Sequence, residues 1–147
     1  MQASATRSID GLIATYAESH LHPTNEIIHF ICVPAIVFSV MGLAWAVHPL
    51  LAVAMTGAAL LYYLSLSLPM AIGMALMTGA MLWLLSLLPQ DLIWQISLAV
   101  FVLAWIGQFI GHKVEGKKPS FFDDLRFLLI GPLFVLGFLY RRLHISY

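Results

Sequence analysis

The sequence predicts an all-α integral membrane protein: an antiparallel bundle of four transmembrane helices, with an N-terminal amphipathic helix and a broken or re-entrant C-terminal helix. Three observations lead there. Of 147 residues, 61% are hydrophobic and only 10% charged, against about 25% charged in a soluble domain, so there is too little polar surface to face water. Four apolar stretches, residues 27–47, 49–67, 68–88 and 92–111, each approach the ~20 residues that cross a bilayer. The breaks between them, at His48-Pro49, Ser67-Leu68-Pro69 and Pro89-Gln90-Asp91, are short enough to force consecutive helices to run antiparallel. The chain, residues 1–147, is read as a single membrane domain.

Taken in order, residues 8–20 place Ile9, Leu12, Ile13 and Tyr16 at helical spacing, which makes one apolar face. The segment is too short and polar to span, and is expected to lie along the membrane surface. The first 25 residues lack the apolar core and cleavage site of a signal peptide, so the first span is expected to direct insertion. Pro23 interrupts the chain, and Thr24 or Asn25 can cap the helix that follows. Small residues at Gly57, Ala58, Gly73 and Gly79 allow close helix approach, with ordinary packing the simpler account. In residues 121–140, Gly131-Pro132 falls mid-segment, where proline removes a backbone hydrogen bond. A broken or re-entrant helix is expected there, a fifth span being the alternative.

Formal net charge is zero, which argues against a nucleic-acid partner, since that calls for a basic face; the partner implied is the lipid bilayer. Cys32, the single cysteine, reads as a small buried hydrophobe. Four crossings return the chain to its starting side. His20, His22 and His29 are therefore expected on the same side as His112, Glu115, Lys117 and Lys118, with His48 opposite. Arg7, Lys113, Lys117, Lys118 and Arg126 gather on the first side, which the positive-inside rule makes cytoplasmic.

His29 lies about one turn inside an apolar helix, where an unpaired polar ring is costly. His112 ends the fourth span, with Glu115 one turn on. Together with His20, these are the candidate metal ligands, His22 being able to replace or join His20. Interhelical hydrogen bonding, or surface exposure for His20, are the simpler roles. His48 and His144 read as an interfacial and a tail residue. Imidazoles with one carboxylate suit Fe(II), Zn(II) or Mn(II). Glu115 is placed either on the metal or behind His112, with Glu26 and Asp123 as lesser carboxylates. Gln108 and Asn25, each one turn before a candidate ligand, can hydrogen-bond substrate or histidine.

Two motifs carry a resemblance. Y-x3-H-x4-N-x3-H-x4-P comprises Tyr16, His20, Asn25, His29 and Pro34. W-x-G-Q-F-x-G-H-x2-E-x3-P runs over residues 105–119. In this order, before long apolar runs, they resemble the small membrane proteins related to the yeast 2-hydroxy fatty acid dioxygenase of phytosphingosine metabolism. The resemblance extends from about residue 8 to residue 140 and favours a bacterial-type relative. It implies an Fe(II)-dependent dioxygenase that uses O2, without 2-oxoglutarate, to shorten a fatty 2-hydroxy acid by one carbon. It carries the iron ligands onto His20, His29 and His112. Such proteins reside in membranes, here the bacterial inner membrane with a cytoplasmic N-terminus, or the endoplasmic reticulum in a eukaryote. The carboxylate of such a substrate would meet Lys113, Lys117 or Lys118, although each lysine alone is accounted for by topology. Alternatives are a zinc-dependent membrane hydrolase, a bis-histidine haem protein, and a transporter or scaffold. Transport is disfavoured because no inverted repeat is found and the polar residues sit at one edge.

Overall fold

A computed structural model of the chain describes residues 8–17, 22–116 and 129–147. They form helices α1 (Ser8–Ala17), α2 (Pro23–Val47), α3 (Pro49–Leu66), α4 (Leu68–Leu87), α5 (Ile93–Glu115) and α6 (Ile130–Arg142), with no strand among the described residues. Helices α2 to α5 are each long and apolar enough to cross a membrane. Ile31, Leu61, Leu76 and Leu103 point outwards from them, largely exposed. Such a surface suits lipid and not water.

Three of the four spans begin with the same local chemistry. An extended residue offers a side-chain acceptor, and proline follows in the first turn, where its missing N–H is not needed. His22 Nδ1 accepts from Thr24 N at 3.2 Å to start α2. His48 Nδ1 accepts from Leu50 N at 3.0 Å to start α3. Ser67 Oγ accepts from Met70 N at 3.4 Å to start α4. His48 and Ser67 also close the preceding helices through their own N–H groups, so one residue reverses the chain at each point. The expectation that Thr24 or Asn25 caps α2 is corrected: the His22 ring takes that place, and α2 already begins at Pro23.

Helices α2 and α5 pack antiparallel along their length. Asn25 faces Gly111, Cys32 faces Gly107, Ile36 shares a cluster with Ala104 and Trp105, and Gly42 faces Ser97. At the far end Trp45 Nε1 donates to Gln90 Oε1 at 3.0 Å. A Cβ on Gly107 would lie 2.6 Å from Cys32 Sγ, and one on Gly111 would collide with the Asn25 side-chain oxygen. Gly107-x3-Gly111 is therefore the seam that lets the two backbones approach. Among the small residues expected to serve this purpose, Gly73 packs closely against the Tyr140 hydroxyl. A Cβ at Gly57 or Gly79 would meet nothing within 4 Å, and Ala58 is exposed; these three are not helix seams within the chain.

Helix α1 covers residues 8–17 of the segment expected to be an amphipathic helix, and its Ile9 and Ile13 are buried in a cluster with Met70, Met74, Leu133 and Phe134. Protein, chiefly α6, covers these two residues of the face expected to rest on the membrane. Gly131-Pro132 falls in the first turn of α6, where proline is well tolerated; residues 121–128 of the segment expected to be broken or re-entrant lie outside the described residues. Its 13 residues extend about 20 Å, short of the ~30 Å hydrocarbon core. Tyr140 Oη donates to Pro69 O at 2.7 Å and Tyr63 Oη to Leu129 O at 2.8 Å, tying this end of the chain to α4 and α3.

Candidate functional site

The antiparallel packing of α2 and α5 sets the start of the first span beside the end of the fourth, as the parity of four crossings requires. The end of α5 is fixed by Gly116, whose left-handed backbone (φ 75°) lets its N–H reach the His112 and Lys113 carbonyls. Glycine adopts this conformation without Cβ strain. Glu115 is consequently the last helical residue and shares a face with His112, as expected from their spacing. Its Oε2 accepts from the His22 backbone N–H at 2.7 Å and from Asn25 Nδ2 at 3.3 Å. A carboxylate is favoured there, because the first N–H groups of α2 form the positive end of that helix.

His29 is 1% exposed and its Nδ1 lies 2.9 Å from the Asn25 carbonyl. A carbonyl can only accept, so in the neutral ring Nδ1 carries the proton and Nε2 presents its lone pair. Backbone carbonyls orient metal-ligating histidines in this way. His112, 5% exposed on α5, meets this ring edge-to-face, with centroids 5.4 Å apart and planes at 87°. A metal–imidazole bond of about 2 Å puts a ring centre roughly 3 Å from an ion, so the spacing of the two centroids alone is short enough for the rings to share one. Asn25 joins the two layers, its backbone oxygen holding His29 and its side chain holding Glu115.

Two of the three expected metal ligands are thus together. The third, His20, lies outside the described residues, as do Lys117 and Lys118. Among the described residues no three His, Cys, Asp or Glu side chains form a metal-binding group. His22, the alternative ligand, is exposed and uses Nδ1 to cap α2. The His29–His112 pair fits a borderline cation such as Fe(II) or Zn(II) in donor type, and requires further donors to complete a site. Gln108 is 6% exposed one turn before His112. Its buried Oε1 has no hydrogen bond among the described residues, although such an oxygen ordinarily finds a donor.

His48 is at the opposite end, capping α3, and His144 is exposed near the C-terminus. Sequence reasoning missed the Gly107–Gly111 seam, the capping role of His22 and the double role of Asn25. The first was readable as G-x3-G inside the second motif.

Fold and site together define a small integral membrane helix bundle that buries paired imidazoles at the shared end of its first and fourth spans. The family described as "Mpo1-like: 2-hydroxy-palmitic acid dioxygenase Mpo1-like" matches residues 6–143. The 2-hydroxy-palmitic acid dioxygenase MPO1 of Saccharomyces cerevisiae is 32% identical over 131 residues, covering 82% of this chain and 73% of the yeast protein. The chain belongs to the Mpo1-like family. No solved structure matches it significantly.

Proposed function

We propose that this protein is an Fe(II)-dependent dioxygenase that shortens 2-hydroxy fatty acids by one carbon at the cytoplasmic face of a membrane. The observation that supports the reading most is the buried His29–His112 ring pair, in a chain similar to a protein named for oxygenation of 2-hydroxy-palmitic acid. His20, His29 and His112 would hold the metal, which when bound supplies the oxygen activation that side chains cannot. The chain's own groups bind, orient and exclude water. The Asn25 carbonyl fixes the His29 tautomer, and Glu115 positions Asn25 and the start of α2. Gln108 offers a buried acceptor for the substrate hydroxyl, and Lys117 or Lys118 pairs with its carboxylate. Two oxygens on adjacent carbons make a 2-hydroxy acid a natural chelator, which an unsubstituted acid is not. The balance closes with dioxygen alone: R–CH(OH)–COOH plus O2 gives R–COOH, carbon dioxide and water, so no 2-oxoglutarate is consumed.

The test is product chain length by mass spectrometry on anaerobically purified, iron-loaded protein in liposomes, supplied with 2-hydroxy-palmitic acid and air. The acid one carbon shorter is expected, with O2 uptake, loss of turnover on chelation, and recovery with Fe(II) but not Zn(II). No shortened acid from any 2-hydroxy chain length, with iron bound, overturns the substrate class. Recovery with Zn(II) and without O2 uptake would favour the hydrolase.

A further inference from the structure

We infer that an apolar cavity between α2, α3 and α4 is the chamber that takes the hydrocarbon tail of the substrate. The inference rests on the functional reading above for the head group that the tail belongs to. The cavity has a volume of about 130 Å³ and lies under Leu129, with Val37, Val40 and Met41 forming its α2 wall. An apolar cavity of ~150 Å³ stays dry and takes up benzene or xenon, so this volume suits a stretch of hydrocarbon.

Three observations identify the occupant. First, the hydroxyl groups on the walls are all engaged. Thr56 Oγ1 donates to Ala52 O at 2.8 Å, Thr78 Oγ1 to Met74 O at 2.7 Å and Tyr63 Oη to Leu129 O at 2.8 Å. Each donor already has its partner, so the cavity offers little to a polar ligand and disfavours water. Second, His29, Val33, Val37 and Val40 follow one another at steps of four, four and three residues, so they form one strip along α2. This strip runs along α2 from the imidazole pair to the cavity, with Val33 buried between them. Third, the depth is that of one leaflet. Val37 and Met41 lie roughly 12 and 18 Å beyond His29 along the helix axis at 1.5 Å per residue, and lipid tails of one leaflet fill about 15 Å, half the ~30 Å core. A fatty acid with its head at His29 and His112 sets the end of its tail here. Met55 lines the cavity and is also exposed to the lipid side, which gives the tail a route of entry from the bilayer.

The test uses 2-hydroxy-palmitic acid with a diazirine at the terminal carbon, photolysed on the full chain in nanodiscs under anaerobic conditions, followed by peptide mapping. Labelling within residues 37–41 or 55–63 is expected, competed by unlabelled 2-hydroxy-palmitic acid. Labelling confined to the outer face of α5 at Leu98, Val102 and Leu103 overturns the inference. Chamber labelling reproduced in equal yield by a phospholipid with the same terminal diazirine also overturns it, in favour of a bilayer-lipid site. As a second measurement, Ala59→Phe adds bulk at the α3 wall. It is expected to raise KM for 2-hydroxy-palmitic acid roughly tenfold, the worth of about two methylenes, and to leave 2-hydroxy-octanoic acid unchanged. An equal effect on both acids, or on neither, counts against the chamber. A wild-type protein that turns over no 2-hydroxy acid defeats the functional reading, while the labelling, scored without turnover, decides the chamber separately.

Discussion

The Glu115 carboxylate accepts a hydrogen bond from the Asn25 side-chain amide at 3.3 Å, and the same Asn25 holds His29 Nδ1 through its backbone carbonyl at 2.9 Å. The last turn of α5 is thereby connected to the buried imidazole of α2 through a single residue. Outer partners of this kind typically change metal affinity or activity by about 10–100-fold when removed. Glu115→Ala and Asn25→Ala are each expected to lower iron retention and turnover by roughly that factor. Because Asn25→Ala and Glu115→Ala both remove the contact between them, and Glu115→Ala also frees the His22 N–H, the double variant is expected to lose little more than Glu115→Ala alone. Metal-to-protein ratios and turnover for the three variants check this, and fully multiplying losses would show that the two residues act separately.

The histidines divide by the end of the bundle they occupy. His29→Ala and His112→Ala, and His20→Ala with them, are expected to abolish iron retention and turnover while the protein remains folded in membranes. His48→Ala is the control, since its ring caps α3 at the far end. It is expected to leave iron and turnover unchanged and to cost about 1 kcal/mol of stability, the usual effect of a lost helix cap. Metal analysis beside thermal unfolding in detergent separates the two kinds of loss. A silent His112→Ala with a damaging His48→Ala would move the site to the opposite end.

Close approach of α2 and α5 depends on Gly107 and Gly111 having no side chain. Gly107→Ala sets a methyl group against Cys32, and Gly111→Ala sets one against Asn25; overpacking of this kind typically costs about 1–3 kcal/mol. Gly57→Ala and Gly79→Ala add a methyl group into open space and are expected to be neutral or to stabilise by up to about 1 kcal/mol through helix propensity. Unfolding in mixed detergent orders the four variants. Equal losses at all four positions would contradict the seam.

What the sequence revealed of this architecture, and what it hid, follows from how local each signal is. Apolar length and one-residue breaks at His48 and Ser67 are local, so the spans and the meeting of His29 with His112 were legible. Whether a glycine is a seam depends on which face meets a partner, and composition alone could not separate Gly107 from Gly57. The His22 cap was obscured because histidine is a less usual N-cap than the Thr24 and Asn25 that follow it. The break expected at Pro132 adjoins residues 117–128, which lie outside the described residues. The apolar face of α1 reads the same whether lipid or α6 covers it.

The proposed sidedness rests on the distribution of cations. With Cys32→Ser as background, cysteines introduced at Ser4 and Ser120 are expected to react with an impermeant maleimide only after the cytoplasmic side is opened, and one at Gln90 without opening. Labelling of Ser4 and Ser120 from opposite sides would break the parity of four spans and with it the shared site. Labelling of both from outside would keep the site and invert the protein.

The most discriminating substitution is at Gln108. Its Oε1 is buried without a hydrogen bond among the described residues, a state that ordinarily costs about 1–3 kcal/mol. If this oxygen awaits the 2-hydroxyl of the substrate, Gln108→Leu removes a polar group that the resting protein leaves unsatisfied. Stability in detergent is then expected to hold or rise, and iron retention to stay as in the parent. Selectivity should change in the other direction, because a site built to bond a hydroxyl rejects the analogue without it, and a leucine does not. The preference for 2-hydroxy-palmitic over palmitic acid in competitive binding, measured anaerobically, is expected to fall at least about tenfold, one hydrogen bond's worth. Loss of iron with an unchanged binding preference would instead place Gln108 behind His112 as a positioning residue.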